Sequence, residues 1–454
     1  MPKKKTALTI EERLQQALVP AEEQPYEVPE NWVWVRLGEV NKYVSKSVNP
    51  ISEPDKIFEL YSVPSMADDY PEIIAGSDIG SSKQSVCKED VLLCKINPRI
   101  NRVWKVSQFT DNELIASSEW IIIRNNHINA NYLMYCFQSK YFREFMLSNV
   151  SGVGGSLMRA QPKYVQTYPI PLPPLSEQQR IVESIEELFA KLDEAKERLQ
   201  EVADSFAVRK AAVLHNAFTG ELTKQWRREN GVSDESWEEK KLGEVGFWLG
   251  GGTPSTSREE YWENGNILWI TSKDMKSAVI EDTLMKVNEI GVKNSSANYI
   301  EKPALLVVMR SGILRRTFPV AMVKKPFTVN QDLKAIIPDK DDLEFLYWML
   351  LSNEQRILDT CMKNGTTVES INSNALKDLT FKCPTLPEQH EIVRLIDDLL
   401  ARERSAQQAA EQALASIDLM KKSILARAFR GELGTNKASE ASALELLKQV
   451  LAEN

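Results

Sequence analysis

The sequence lacks the residue patterns on which several classes of protein depend. No run of 18 or more apolar residues and no apolar signal-peptide core follows Met1, which predicts a soluble cytoplasmic protein. Cysteines are few, odd in number and without a C-x-x-C pair: Cys87, Cys94, Cys136, Cys361 and Cys383. This distribution argues against a disulfide framework and against a zinc site, so we expect reduced, buried thiols and no bound metal.

Motifs of catalysis are missing as well. The sequence has three histidines, at positions 127, 215 and 390, and contains no G-x-S-x-G motif. The stretch Gly76–Lys83 faintly resembles a phosphate-binding loop, but its glycine spacing does not fit the P-loop. A DNA methyltransferase needs an Asn/Asp-Pro-Pro-aromatic motif, whereas the only Pro-Pro pair, Pro173–Pro174, follows Leu172. We therefore predict a protein that is not an enzyme.

The net charge of -8 argues against a simple DNA-binding protein, but the excess acid is not uniformly distributed. Residues 31–173 carry 15 basic and 14 acidic side chains, and residues 241–384 carry 18 of each. Two near-neutral segments can each present a local basic surface to phosphates.

The chain contains an internal repeat with a period near 211 residues, which is the strongest signal in the sequence. Leu175–Val182 (LSEQQRIV) recurs as Leu386–Val393 (LPEQHEIV), and Ala217–Leu222 (AFTGEL) recurs as Ala428–Leu433 (AFRGEL). The repeat predicts an order of globule, helix, globule and helix.

Between these signatures, apolar residues alternate four and three positions apart, which predicts two coiled-coil helices. The first series is Ile181, Ile185, Leu188, Leu192, Ala195, Leu199, Val202 and Phe206, and only Glu403 breaks the second. A 40-residue helix would be roughly 60 Å long. Core helices or a homodimeric coiled coil remain alternatives, but two equal helices in one chain favour antiparallel pairing within the chain.

The segments before each long helix mix strand and helix patterns, which predicts the α+β class. Val91–Cys94 and Trp120–Ile123 have the pattern of buried strands, and Tyr132–Phe145 that of a helix. The second copy repeats the order with 305–309, 333–337 and 345–351. The predicted parts are an N-terminal helical extension (1–30), a globular domain (31–173), a long helix (174–220), a linker (221–240), a second globular domain (241–384), a second long helix (385–431) and a C-terminal tail (432–454).

Each globular domain contains a basic loop after a predicted buried strand, at equivalent places in the repeat. Arginine suits DNA because its planar fork can bond two acceptors of guanine or brace a phosphate. A solvated hairpin explains either loop equally well. The Gly250–Ser255 loop is a further candidate for close backbone approach, although it also suits an ordinary turn. The predicted DNA-binding residues are Lys95, Arg99, Arg102, Lys105, Gly252, Thr253, Arg310, Arg315 and Arg316.

Taken together, this duplicated set of motifs resembles the specificity subunits of Type I restriction-modification systems over residues 30–434. The carriers are the Pro-Leu-Pro-Pro-Leu-x-Glu-Gln stretch (Pro171–Gln178), its relative at 383–393, the two Ala-Phe-x-Gly-Glu-Leu ends and the Gly-Gly-Thr-Pro-Ser run. The resemblance implies two target recognition domains separated by two antiparallel helices. Each domain would read one half of a split double-stranded DNA site.

The resemblance further implies partners. Two methyltransferase subunits, which use S-adenosylmethionine, would dock on the helical parts, and a motor-nuclease (restriction) subunit would join for cleavage, while this chain binds no cofactor itself. The residues carried into the spacer and docking regions are Leu175, Glu177, Gln178, Gly220, Glu221, Leu386, Glu388, Gln389, Gly431 and Glu432. Two alternatives stay open, namely a coiled-coil scaffold that binds only proteins and a nuclease or methyltransferase in its own right.

Overall fold

A computed structural model of the chain describes residues 8–152, 158–363 and 368–452. Its internal contacts divide the chain into unit 1, formed by Met1–Gln200 with Gln412–Asn454, and unit 2, formed by Glu201–Glu411. The first seven residues of the predicted N-terminal extension and the last two of the predicted tail lie outside the described residues.

Unit 1 builds its globular part from short strands and helices. The strands are β1 Val33–Arg36, β2 Ser47–Val48, β3 Ile57–Tyr61, β4 Glu72–Ala75, β5 Lys83–Ser85, β6 Val91–Cys94, β7 Val103–Lys105, β8 Glu113–Ala116, β9 Trp120–Ile123, β10 Val150–Ser151, β11 Arg159–Ala160 and β12 Pro169–Leu172. The helices are α1 Ile10–Ala17, α2 Leu37–Val40, α3 Ala130–Gln138, α4 Lys140–Ser148 and α5 Pro162–Val165. A five-stranded sheet has the order β2-β5-β8-β3-β4, and a three-stranded sheet has the order β7-β6-β9. The pairs β1–β12 and β10–β11 are antiparallel, and β3–β8 is parallel.

Two long helical segments follow in chain order. A short helix then precedes the globular part of unit 2. They are α6 Leu175–Asp204, α7 Phe206–Phe218 and the short α8 Lys224–Glu229.

Unit 2 repeats the plan, with fewer strands among its described residues. The strands are β13 Glu238–Lys241, β14 Gly246–Gly250, β15 Ile267–Ile270, β16 Met285–Val287, β17 Ala304–Val308, β18 Val320–Val323, β19 Phe327–Val329, β20 Leu333–Pro338 and β21 Thr380–Cys383. The further α-helices in the described residues are α9 Glu289–Lys293, α10 Leu343–Ser352, α11 Glu354–Cys361, α12 Ser373–Lys377, α13 Leu386–Ala428 and, in unit 1, α14 Ala443–Ala452. The sheets have the orders β14-β20-β17-β18 and β16-β15-β19, with β13–β21 as an antiparallel pair.

The predicted α+β class and the internal repeat are confirmed. In both units a hairpin (β6–β7, β17–β18) pairs through its first strand with a later strand (β9, β20), and two helices follow. The predicted strands Val91–Cys94 and Trp120–Ile123 form as expected. The segment Tyr132–Phe145 is helical as predicted but is divided into α3 and α4, because Ser139 leaves the helical conformation and its hydroxyl accepts from the Phe142 amide to start α4.

Segments of both long helices run antiparallel within each unit. In unit 1, Arg180 of α6 reaches the Thr435 carbonyl at 3.0 Å, and Asp193 further along pairs with Lys421 of α13. In unit 2, Arg209 of α7 pairs with Glu403, which explains the charge that interrupts the predicted apolar series. The predicted first long helix is confirmed over 175–218, where α6 and α7 are separated only by Ser205, whose hydroxyl accepts from the Arg209 guanidinium.

The apolar seam of the long helices is most completely buried near their starts, and Ala410 and Ile417 are also buried in the middle of α13. Ile181, Ile185, Ile392 and Ile396 are fully buried, because they also contact the globular cores. Among the middle positions of the predicted seam, Leu188 and Val202 are exposed. None of the helices in the described ranges is long and apolar enough to span a bilayer.

Candidate nucleic-acid interface

The basic loop of unit 1 is the turn of the β6–β7 hairpin. Pro98 starts a single 3-10 turn, Pro98–Ile100, and the asparagines on either side, Asn97 and Asn101, have φ of 47° and 56°. Asparagine enters this left-handed region more readily than most residues. The sequence Asn-Pro-Arg-Ile-Asn therefore folds locally into a tight, defined turn.

Three backbone hydrogen bonds fix this turn to two other segments of unit 1. The Lys95 N–H donates to the Glu119 carbonyl at 3.0 Å, and the Asn97 N–H donates to the Met158 carbonyl at 2.8 Å. The Lys95 carbonyl accepts from the Ala160 N–H at 2.8 Å. The turn is thus held in place independently of its charged side chains.

The structure brings together three of the four cations predicted here. The Lys95 ammonium donates to the Ser118 carbonyl at 2.6 Å, Arg99 is exposed and Arg102 is partly exposed at the end of the turn. Lys105 lies apart from them, because it is paired in register with Val91 at the opposite end of the hairpin. Its ammonium lies 3.6 Å from the Glu89 carboxylate.

Sequence reasoning missed two arginines that the fold adds to this surface. Arg143 lies in α4, and its guanidinium donates a hydrogen bond to the Arg99 carbonyl. Arg159 of β11 pairs with Glu119 at 3.2 Å and remains exposed. Both arginines lie more than 40 residues downstream of the loop in the sequence. Only tertiary folding brings them to it.

The second basic loop is anchored by the same three backbone hydrogen bonds. The Met309 N–H donates to the Asp332 carbonyl at 2.8 Å, and the Ser311 N–H donates to the Glu369 carbonyl at 3.0 Å. The Met309 carbonyl accepts from the Ile371 N–H at 2.8 Å. The recurrence of the basic loop in the sequence therefore reflects a recurrent backbone structure.

The side chains of the second loop differ from those of the first. Arg310, Arg315 and Arg316 are all exposed, and Arg315 closes a 3-10 turn that begins at Gly312. The Arg315 Nε donates to the Glu369 carboxylate. This hydrogen bond lowers the pKa of the Glu369 carboxyl.

The two residues predicted from the glycine loop have different surroundings in unit 2. The Thr253 hydroxyl donates to Gln331 at 2.8 Å, next to Asp332, so this threonine lies close to the second basic loop. Gly252 is buried, and a Cβ there would lie 2.0 Å from the Ser296 Oγ. Close packing within unit 2 accounts for this glycine.

Four of the predicted partner-docking side chains are fully buried at the starts of the long helices. In unit 1, the Gln178 amide donates to the Pro173 carbonyl at 2.9 Å and accepts from the Asn129 N–H at 2.9 Å. In unit 2, Gln389 does the same with Pro384 and Asp342. These glutamines join the start of each long helix to the globular part of its own unit.

The two buried glutamates join each helix start to the segment that follows the other long helix. In unit 1, Glu177 accepts from the Trp32 indole at 2.7 Å and from the Asn436 amide at 2.8 Å. In unit 2, Glu388 accepts from the Thr223 hydroxyl at 2.6 Å and from Arg227 at 2.7 Å.

These internal contacts limit what the recurrent Glu-Gln motif can offer a partner. Among the predicted docking residues, the exposed ones are Leu175, Glu221, Leu386 and Glu432. Gly220 and Gly431 end the helices with φ of 83° and 74°, a left-handed conformation that favours glycine.

Within residues 8–152, 158–363 and 368–452, no group of three or more His, Cys, Asp or Glu side chains is placed to hold a metal ion.

Comparison with known proteins gives a consistent result. The chain matches the family described as Type I restriction modification DNA specificity domain over residues 29–203 and again over 234–413. It is 37% identical over 196 residues to the specificity subunit of the Type I restriction enzyme EcoR124I/EcoR124II of Escherichia coli, a match that covers 41% of this chain and 48% of that subunit. Over 348 residues it is 26% identical to the StySPI specificity subunit of Salmonella potsdam, which covers 72% of each protein.

A solved structure has a similar fold. The HsdS subunit from Thermoanaerobacter tengcongensis aligns with a TM-score of 0.68 over 90% of this chain and 100% of that chain, at 21% sequence identity. At this identity the likeness concerns the fold alone.

Proposed function

Because this chain belongs to the family of Type I restriction modification DNA specificity domains, we propose that it is the subunit that reads DNA sequence in a Type I restriction-modification complex. Specificity subunits of this family recognise DNA without catalysing a reaction. The chemistry would then reside in partner subunits, and this chain would hold no cofactor.

The observation that carries this proposal is the pair of anchored basic loops. Each loop presents arginines on a turn whose backbone is fixed by three hydrogen bonds to other segments. A fixed backbone suits base reading, because the side chain must hold its donors at defined positions in the groove. The net charge is no obstacle, since a local group of positive side chains can bind phosphates on a chain that is acidic as a whole.

The duplication supports a split recognition sequence. Each unit has its own hairpin, its own loop and its own set of cations, so each can contact a separate stretch of duplex. We propose that unit 1 reads one half-site through Lys95, Arg99, Arg102, Arg143 and Arg159. Unit 2 would read the other through Arg310, Arg315, Arg316 and Thr253.

We further propose that methyltransferase subunits bind the long helices. Apolar side chains remain exposed there, notably Leu188 and Met420 in unit 1 and Val202 and Val208 in unit 2. Exposed apolar positions on a helix are typical of surfaces that another helix covers. The duplication supports two copies of the methyltransferase, each using S-adenosylmethionine, with a motor-nuclease subunit joining for cleavage in the cytoplasm.

A coiled-coil scaffold that binds only proteins is the competing function. It accounts for the exposed positions of the long helices. It gives no reason for two arginine-bearing loops with identical backbone anchoring, so the basic loops favour DNA reading.

The test is to express this chain with a cognate methyltransferase subunit in a methylation-free host and to sequence the methylated bases. We expect one split motif that disappears without this chain. Arg102→Ala should relax specificity in one half-site only, and Arg315→Ala in the other only. The matched control is Lys105→Ala, which removes a cation of the same hairpin that is paired away from the loop and should leave both half-sites unchanged.

Two results would refute the proposal. A methyltransferase that keeps its motif in the absence of this chain would show that sequence reading lies elsewhere. A complex that assembles stably with the methyltransferase but binds no duplex would favour the protein scaffold.

A further inference from the structure

The segments that hold the two anchored loops differ at the residue whose carbonyl accepts from the loop. In unit 1 the carbonyl that accepts from Asn97 belongs to Met158, and in unit 2 the carbonyl that accepts from Ser311 belongs to Glu369. The Glu369 side chain also reaches its loop, where its carboxylate accepts from Arg315. Glu369 thus holds the loop at two points, once with its backbone and once with its carboxylate.

The geometry of this ion pair leaves the reading edge of the arginine available. The carboxylate accepts from Nε, and the Arg315 side chain is 70% exposed, whereas that of Glu369 is 19% exposed. The terminal Nη1 and Nη2 atoms of a guanidinium form the fork that matches two acceptors on one base edge, as on guanine. A hydrogen bond to Nε orients this fork without occupying it.

Two physical effects follow from such an arrangement. A free arginine loses much rotamer entropy when it is fixed on a base, and an arginine already held at Nε loses less. In addition, the negative charge beside the fork disfavours the approach of a phosphate, which weakens binding to duplex that lacks the correct base. Both effects increase discrimination more than overall affinity.

We propose that Glu369 is a positioning residue that orients Arg315 to read a guanine in the half-site of unit 2. The inference rests on the proposed function, because it requires Arg315 to contact DNA. In unit 1, Met158 stands at the equivalent position, and the arginine–carboxylate pair beside that loop is instead Arg159 with Glu119.

The test uses Glu369→Gln in the full complex with the methyltransferase subunit. This substitution keeps the side-chain size and the backbone hydrogen bond to Ser311 but removes the charge that holds Arg315. Binding is measured by competition against duplexes in which each base pair of the unit 2 half-site is changed in turn. We expect the preference for guanine to fall about three- to tenfold at one position only, while binding to unrelated duplex stays constant or increases.

Two further variants test whether Glu369 acts on base preference through Arg315. Arg315→Ala should abolish the preference at the same position, a loss of about 5- to 150-fold for a bidentate contact. The double variant should then lose no more than Arg315→Ala alone, because Glu369 acts only through that arginine.

Glu354→Gln is the matched control. The Glu354 carboxylate accepts from the Phe318 N–H at 2.7 Å and so holds the far end of the same loop without touching Arg315. We expect it to leave the guanine preference unchanged, with both glutamine variants melting close to the parent.

The outcomes separate the two proposals. An unchanged base preference in Glu369→Gln, in a complex that still reads its split motif, overturns the positioning role alone. An equal loss in Glu354→Gln, or a loss spread over all sequences with a changed salt slope, also overturns it, since these indicate loop packing or a phosphate contact. If the parent complex reads no split motif, both the proposed function and this inference are refuted.

Discussion

Removing the buried carboxylate of Glu388 should destabilise unit 2 without changing the DNA sequence that is read. Its side chain is 0% exposed and lies 2.7 Å from the Arg227 guanidinium, which is 6% exposed. Loss of one partner from a buried pair costs about 3–5 kcal/mol, because the other charge is left without compensation. Arg227 keeps a bond of 2.9 Å to Asp234, an exposed residue. We therefore expect the lower end, about 3 kcal/mol, for Glu388→Ala.

Glu388→Gln is the milder change, since the amide oxygen can still accept from Thr223 and Arg227. It should cost about 1–2 kcal/mol through loss of the charge-assisted bond. The measurement is urea unfolding of the isolated chain followed by circular dichroism. Glu391→Gln is the control, because that carboxylate pairs with the exposed Arg394 and should change stability by less than about 1 kcal/mol.

A double-mutant cycle with Arg227→Met should show that the pair is coupled, so that the double variant is less destabilised than the two single losses together. The reasoning would be refuted if Glu388→Gln were as stable as Glu391→Gln yet no longer bound the methyltransferase. Glu388 would then serve a partner, as the sequence motif alone suggested.

Three further predictions concern unit stability and thiol access. Gly431→Ala should destabilise more than Gly220→Ala in thermal melts, because an added Cβ would lie 2.4 Å from the Pro29 ring in the first case and 3.3 Å from the Arg227 guanidinium in the second; equal losses would contradict this. Arg180→Met should weaken unit 1 by about 1 kcal/mol in urea unfolding, since it removes a bidentate bond to Glu440. Alkylation of the folded protein at pH 8 should modify Cys87 alone, because it is the exposed cysteine. Burial raises the pKa of the Cys136 thiol and raises that of the Cys383 thiol to about 12. Detection of a second alkylated cysteine by mass spectrometry would contradict the core described here.

The repeat allowed the helix ends to be predicted from the sequence. A recurrent Ala-Phe-x-Gly predicts a helix end because a helix commonly ends with a residue in the left-handed conformation, which glycine adopts most easily. The buried strands before each basic loop were readable for a similar reason, since runs such as Val91–Cys94 need no distant information.

The role of the recurrent Glu-Gln pair could not be predicted in the same way. The recurrence of Glu177 and Glu388 indicates that both glutamates are required. The sequence alone does not distinguish a contact within the chain from a contact with a partner. Their actual contacts include Asn436 and Arg227, which the fold brings from remote segments.

The sequence also could not predict fully which charged residues form the basic surface of unit 1. Lys105 adjoins the loop in sequence, yet strand pairing carries it to the other end of the hairpin. Arg143 and Arg159 are distant in sequence, yet helix α4 and strand β11 bring them beside the loop. The contribution of a charge to a surface depends on tertiary structure, which residue spacing alone does not encode.

The composition of unit 1 has a consequence for how the protein is made. Unit 2 is one continuous stretch, 201–411, whereas the core of unit 1 includes Leu425, Phe429 and Leu447. A ribosome therefore releases the first globular domain long before the residues that complete its core have been synthesised. A stop codon placed between positions 425 and 447 should thus damage the domain at the beginning of the chain and spare the one in the middle.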